Sequence, residues 1–117
     1  MLFKFPKDDK NFSWTSHVKN KILQYRLSEQ KIKTVLKNYV RKEDGIAPKT
    51  TAVMKRNDTP KRKEEIWVMY QELSRKSKVE SQKLRIISAW RYPGISPKGK
   101  EIPIPRDILE ELQENLK

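Results

Sequence analysis

The segment Lys83 to Tyr92, KLRIISAWRY, constrains the fold more than any other stretch of the chain. Its β-branched and aromatic content and its short length fit a strand. Side chains on a strand switch face at every residue. The adjacent Ile86 and Ile87 therefore give both faces apolar weight. Period two puts Arg85, Ile87, Ala89 and Arg91 on one face and Leu84, Ile86, Ser88, Trp90 and Tyr92 on the other. On that reading the two arginines share a face and lie near the ends of the strand, where the sheet meets solvent. Arginines and aromatics on such a strand suit the floor of a site for an anion or a nucleobase. Trp90 and Tyr92 equally suit a core.

The elements before this strand follow from spacing. Trp14, Val18, Ile22 and Tyr25 form one helical stripe, which predicts a helix over residues 14–26. Ser28 is a good N-cap, and Ile32, Val35, Leu36 and Tyr39 predict a second helix over 28–39. Asp44-Gly45 and Pro48 mark a change from helix to strand. Strands are expected at 50–55 and 64–73, joined by the turn-rich NDTPKRK. Residues 74–82 read as a polar, lysine-rich loop before 83–92. Three or four strands with short connections make an antiparallel meander.

After it, Pro93, Gly94, Pro97, Gly99, Pro103 and Pro105 predict an extended linker over 93–105. Ile108, Leu109, Leu112 and Leu116 predict a last amphipathic helix over 106–117. The expected organisation is an N-terminal arm (1–12), a domain (13–92), the linker, and that helix. The fold class is α+β: two N-terminal helices packed on one side of the meander, plus the C-terminal helix.

Composition limits the chemistry. The chain has 117 residues, room for one domain. It lacks cysteine, which excludes disulfides, thiolate catalysis and Cys-based zinc sites. Its single histidine excludes a multi-histidine metal site, and no cofactor motif is present. No apolar run approaches the roughly 20 residues of a membrane span. The start MLFKFPKDDK has no secretory core, so a cytoplasmic protein is expected. The net charge of +12 favours a polyanionic partner. The C-terminal helix runs against this trend, with Asp107, Glu110, Glu111 and Glu114.

The segment FSWTSHVKNKILQYRLSEQKIKTVLKN has an aromatic, a histidine at a helix start, an arginine further on, and a helix opening with Leu-Ser. It resembles the start of a family of small domains placed near the RelE-type toxins. RIISAWR is similar to the closing strand of BrnT-type toxins. The resemblance spans roughly residues 12–92 and leaves out the linker and the last helix. It implies a RelE/BrnT-like fold, ribonuclease or RNA-binding activity, RNA (including mRNA on the ribosome) as target, and an antitoxin partner.

RNA cleavage without a metal needs a base for the 2′-hydroxyl and a cation for the phosphorane. His17 is the one residue whose ordinary pKa suits the first task. Its place in the first turn of a helix disfavours the imidazolium. Packing beside Trp14 is the competing role. Arg85 and Arg91 complete the expected catalytic set, since guanidinium groups bind phosphate in a bidentate way. Arg26, Lys55, Arg56, Lys61, Arg62 and Lys63 are the expected phosphate contacts. Tyr70 and Tyr92 are the expected base-stacking aromatics. A non-catalytic nucleic-acid-binding or protein-interaction module on the same fold is the alternative.

Overall fold

Two hydroxyl side chains set where the first helices begin. In a computed structural model, which describes residues 5–46, 48–73, 83–99 and 101–115, Thr15 Oγ1 accepts from the Val18 N–H at 3.1 Å and starts helix α1, Ser16–Gln24. Ser28 Oγ accepts from the Lys31 N–H at 3.0 Å and starts α2, Glu29–Asn38. Between them the chain turns on a Schellman motif. Leu27 N–H bonds Ile22 O at 2.9 Å, and Arg26 N–H bonds Leu23 O at 3.3 Å. Arg26 occupies the left-handed position of that motif with φ 55°, where glycine is the usual choice.

Five strands form one sheet: β1 (Phe12–Trp14), β2 (Arg41–Asp44), β3 (Thr50–Arg56), β4 (Glu64–Leu73) and β5 (Lys83–Pro93), in the order β1-β5-β4-β3-β2. The strands from β2 to β5 are antiparallel, as the meander predicts. The expected helix over 14–26 gives up its first residues: Trp14 lies in β1, which pairs parallel to β5 at Phe12–Leu84 and Trp14–Ile86. The sheet is therefore mixed. Asp8 and Asp9 fasten the arm for this pairing, through bonds to the N–H groups of Trp14 (2.9 Å), Asn11 (2.8 Å) and Phe12 (2.8 Å). The β2–β3 turn needs Gly45, because a Cβ there would run into Thr50 and Met69.

Both faces of the sheet are covered. On one, Val18, Ile22 and Leu27 of the first helix and its turn, with Ile32 and Val35 of α2, bury Val53, Ile66, Val68, Ile86 and Ala89. On the other, Ala52, Met54, Trp67, Met69 and Trp90 pack with Ile102 of the linker and with Ile108 and Leu112 of α3, Arg106–Asn115. Each Val, Ile, Leu or Met among them contributes roughly 1.5–3 kcal/mol on leaving water. The two N-terminal helices group on one side, as expected, and the C-terminal helix takes the opposite side. The chain builds three layers, with α3 opposite α2, because the alternate residues of β3 to β5 are apolar on both faces. Trp67 and Trp90 stack at 6.1 Å with 7° between their planes in this second core.

The Pro-rich segment is fixed rather than free. Glu65 is fully buried on the α3 face. It accepts from Trp67 Nε1 (2.9 Å), Ser96 Oγ (2.7 Å), the Ser96 N–H (2.9 Å) and Arg56 (3.1 Å). Arg41 donates to Ser96 Oγ at 2.8 Å and to Pro97 O at 3.1 Å, with its guanidinium 5.1 Å from the Trp67 ring. A buried carboxylate is tolerable only when its lone pairs are met in this way.

Candidate functional site

A bulge in β5 rearranges the residues expected to carry chemistry. The register between β4 and β5 slips at Met69/Tyr70, so Ser88 pairs with Met69 and Ile86 with Tyr70, leaving Ile87 as the extra residue. An extra residue inverts the face assignment beyond it. Arg85 and Arg91 therefore lie on opposite faces, and the expectation that they share one is overturned. Arg85 is exposed, with Gln71 at 3.5 Å. Arg91 is on the face of α1 and α2, where it donates to Tyr25 O (2.6 Å), Arg26 O (3.0 Å) and Glu64 (2.8 Å). It closes the C-terminal end of α1, where a cation complements the helix dipole.

His17 does not meet either arginine. Thr15 Oγ1 bonds the carbonyls of Ile86 (3.2 Å) and Ile87 (3.1 Å), which sets α1 running beside β5. One stripe of α1, at His17, Lys21 and Gln24, then faces the flank between β5 and α3. Here the polar groups converge. His17 Nε2 is 2.9 Å from Ser88 Oγ, and its Nδ1 is 2.8 Å from Glu111 Oε2. Lys21 Nζ donates to Glu111 Oε1 (3.1 Å), Asp107 Oδ2 (2.9 Å) and Gln24 Oε1 (2.9 Å). The imidazole and the ammonium thus hold one carboxylate between them, one oxygen each.

Burial grades this cluster. Ser88 is fully buried, the side chains of His17 and Lys21 are 8% and 4% exposed, and those of Asp107 and Glu111 are 45% and 47% exposed. The cations are inside and the anions at the rim. Burial of the His17 ring lowers its pKa; the Glu111 carboxylate opposes this and does not overcome it. Burial also pulls Lys21 down, but the hydrogen bonds and charges of Asp107 and Glu111 outweigh it and raise the ammonium above its ordinary value. The Lys21 hydrogen bond in turn leads the lowering of the Asp107 carboxyl.

A carboxylate has no proton to give, so Nδ1 of the neutral ring carries the N–H and Nε2 accepts from the Ser88 hydroxyl. A hydroxyl also accepts. Ser88 can therefore hold the opposite tautomer as well, with Nε2–H donating, once Glu111 no longer faces Nδ1.

The other expected contacts gather at one end of the sheet. Arg26, past the end of α1, is exposed. Lys61, Arg62 and Lys63 are exposed on the tight β3–β4 turn, which is closed by bonds between Thr59 and Arg62 at 2.8 and 3.2 Å. Lys55 is half-buried nearby, opposite Ile66. Arg56 is taken by Asp58, by Glu65 at 3.1 Å and by Gly94 O at 3.2 Å, so its guanidinium braces the turn. Tyr70 is 8% exposed and packs in the first core, too deep to stack on a base. Burial leads the rise of its phenol pKa. Tyr92 is half-buried against the second core. The lysine-rich loop with its basic run Arg75-Lys76-Lys78, and Leu116 of the last expected stripe, lie outside the described residues.

Reading the sequence alone missed Lys21, Gln24, Ser88, Asp107 and Glu111. The polar stripe on α1 was visible at i, i+4 and i+7 from His17. Ser88 was hidden by the bulge, and the acidic pair by the long connection to α3. Among the described residues no cluster of His, Asp and Glu suits a metal ion, and no helix is long and apolar enough to cross a membrane. Comparison with protein-family models, with curated proteins and with solved structures finds no match to this chain.

Proposed function

We propose that this chain is an RNA-binding domain with a metal-independent endoribonuclease site at His17 and Lys21. One observation carries the reading. His17 Nδ1 and Lys21 Nζ grip the two oxygens of a single carboxylate at 2.8 and 3.1 Å. With Glu111 displaced and the ring in its other tautomer, a ribose 2′-hydroxyl beside the imidazole and a phosphate oxygen beside the ammonium fit the same spacing. The resemblance of the HVKNKILQYRLS segment and of RIISAWR to RelE/BrnT-like toxins points to the same substrate, and so does the net charge of +12.

In this reading Ser88 accepts from Nε2–H and leaves the Nδ1 lone pair for the 2′-hydroxyl. His17 takes that proton as the 2′-oxygen attacks phosphorus. The bond to the 5′-oxygen breaks, a 2′,3′-cyclic phosphate forms, and the departing oxygen takes a proton from water. Lys21 stabilises the added charge of the phosphorane. Arg26 and the Lys61–Lys63 turn hold the flanking backbone, and α1 links the two places, from His17 at its start to Arg26 past its end. Holding arginine at a left-handed position that favours glycine supports a role for its exposed side chain. A toxin role brings an antitoxin that covers these cations.

The test is incubation of RNA with the full-length protein in EDTA, beside His17→Asn and Ser88→Ala. Cyclic phosphate ends from the wild type, their loss in His17→Asn and a displaced pH profile in Ser88→Ala are expected. A non-catalytic module instead binds RNA with a steep salt dependence and produces no new ends.

A further inference from the structure

We infer that α3 carries a built-in occupant of the anion site: the Asp107 and Glu111 carboxylates sit where an incoming phosphodiester binds, and the ligand must displace them. The inference rests on the reading of His17 and Lys21 as the place where the reacting ribose phosphate sits, and it adds what controls access to them.

The arrangement of charge is the first support. Lys21 lies on the polar stripe of α1 in a strongly basic chain, yet two of its three described partners come from the acidic helix α3, 86 and 90 positions away in sequence. Both carboxylates reach the site from the same side, Asp107 and Glu111 being one helical turn apart. The graded exposure is the second. A buried ammonium and a buried imidazole are covered by two carboxylates that are each nearly half open to solvent. An anion arriving from solvent meets the rim groups first and competes with them for the same donors.

The anchoring of α3 is the third. Ile108 is fully buried and Leu112 is 6% exposed in the second core, so the helix is held on its apolar side while its acidic side faces the cations. The two carboxylates can swing out without the helix leaving the sheet. Gln24, which bonds both Lys21 (2.9 Å) and Asp107 (3.3 Å), is the remaining neutral group at the rim. The ligand class follows from the donors: an oxyanion with two oxygens free to span an imidazole and an ammonium, as a phosphodiester or pyrophosphate has.

The single histidine gives a direct readout, since its imidazole C–H resonances in a proton spectrum are unambiguous. The experiment follows them in the full chain while pyrophosphate, or a 2′-O-methyl oligouridylate that cannot be cleaved, is added. The variants are Asp107→Asn with Glu111→Gln, and, as a charge-matched control, Glu101→Gln with Glu110→Gln, both at exposed positions. The His17 resonances are expected to move in the wild type, and at about tenfold lower ligand concentration in the first variant, as when the competent state becomes tenfold more populated. The control is expected to behave as the wild type.

Equal gains in both variants would make net charge the whole effect and overturn the inference. So would His17 resonances that stay fixed at saturating pyrophosphate in the first variant. If RNA binds by anisotropy while His17 stays fixed with either ligand, RNA binding stands at the basic turn and the occupied site does not. If pyrophosphate moves His17 and RNA binds nowhere, the occupied site stands and the RNA reading does not.

Discussion

His17 and Lys21, one turn apart on α1, bind opposite oxygens of the Glu111 carboxylate, at 2.8 and 3.1 Å. An imidazole and an ammonium bridged by one anion form a structural tie, and the same atoms would carry the proposed cleavage. The two uses leave different traces in stability, in RNA binding and in turnover.

The structural use gives a pH signature. The folded His17 lies below its ordinary value of 6.5, burial being the leading cause, with Glu111, Lys21 and Asp107 as the charges around it. The folded state therefore binds fewer protons than the unfolded one. The stability linked to His17 is complete above the unfolded value and is lost as pH falls through it toward the folded value. Urea denaturation between about pH 7 and pH 5 is expected to show stability declining with acid, and His17→Asn is expected to flatten that decline. Asp107 acts in a separate window. Its lowered carboxyl holds stability above 3.8 that is lost as pH falls further.

The two strand arginines are expected to differ sharply. Arg91→Ala leaves the Tyr25 and Arg26 carbonyls and the largely buried Glu64 without their charged donor. That change is expected to cost about 2–3 kcal/mol, the scale of hydrogen bonds to charged groups. Arg85→Ala, at an exposed position, is expected to stay within about 0.5 kcal/mol. Equilibrium denaturation of the two variants measures both.

Glu65 fastens the linker that delivers α3. Glu65→Ala removes the acceptor for Trp67, Ser96 and Arg56 together. A loss of about 3–5 kcal/mol is expected, as for a broken buried pair. Hydrogen exchange at the Ser96 amide, which Glu65 holds at 2.9 Å, is expected to accelerate with it.

The basic turn has a salt signature. Alanine at Lys61, Arg62 and Lys63 is expected to weaken RNA binding. It is also expected to flatten the plot of log affinity against log salt by about 0.7 for each phosphate that is no longer neutralised. A slope unchanged by the triple substitution places the RNA elsewhere. The stability of this variant is expected to match the wild type, since all three side chains are exposed.

Much of the fold is legible in the sequence, and the reasons are local. The apolar stripe Val18, Ile22 and Tyr25, the cap at Ser28 and the alternation of Ile66, Trp67 and Val68 act through neighbours along the chain. The parallel edge strand at Phe12–Trp14 is not legible, because nothing local distinguishes it from a helix start carrying the Trp14–Val18 spacing. The bulge at Ile87 has the same character. It inverts the partnership of Arg85 and Arg91 while leaving the sequence pattern of a plain strand. The site suffers most from this, since His17 meets Ser88 on the bulged strand and Glu111 from the far end of the sequence. His17 could be picked out by residue type. Its partners are set by tertiary contacts that no spacing rule reaches.

In the proposed function His17 is the base of a ribonuclease. The measurement that tests it most directly is the initial rate of RNA cleavage at neutral pH in EDTA. It compares the wild type, the Asp107→Asn/Glu111→Gln variant, and that variant with His17→Asn added. Cleavage by the wild type, faster cleavage by the first variant, and a loss of about 10²–10⁴-fold when His17 is replaced, the usual contribution of a general base, are expected. Equal rates with and without His17, or no cleavage by either protein that retains it, would rule out His17 as that base.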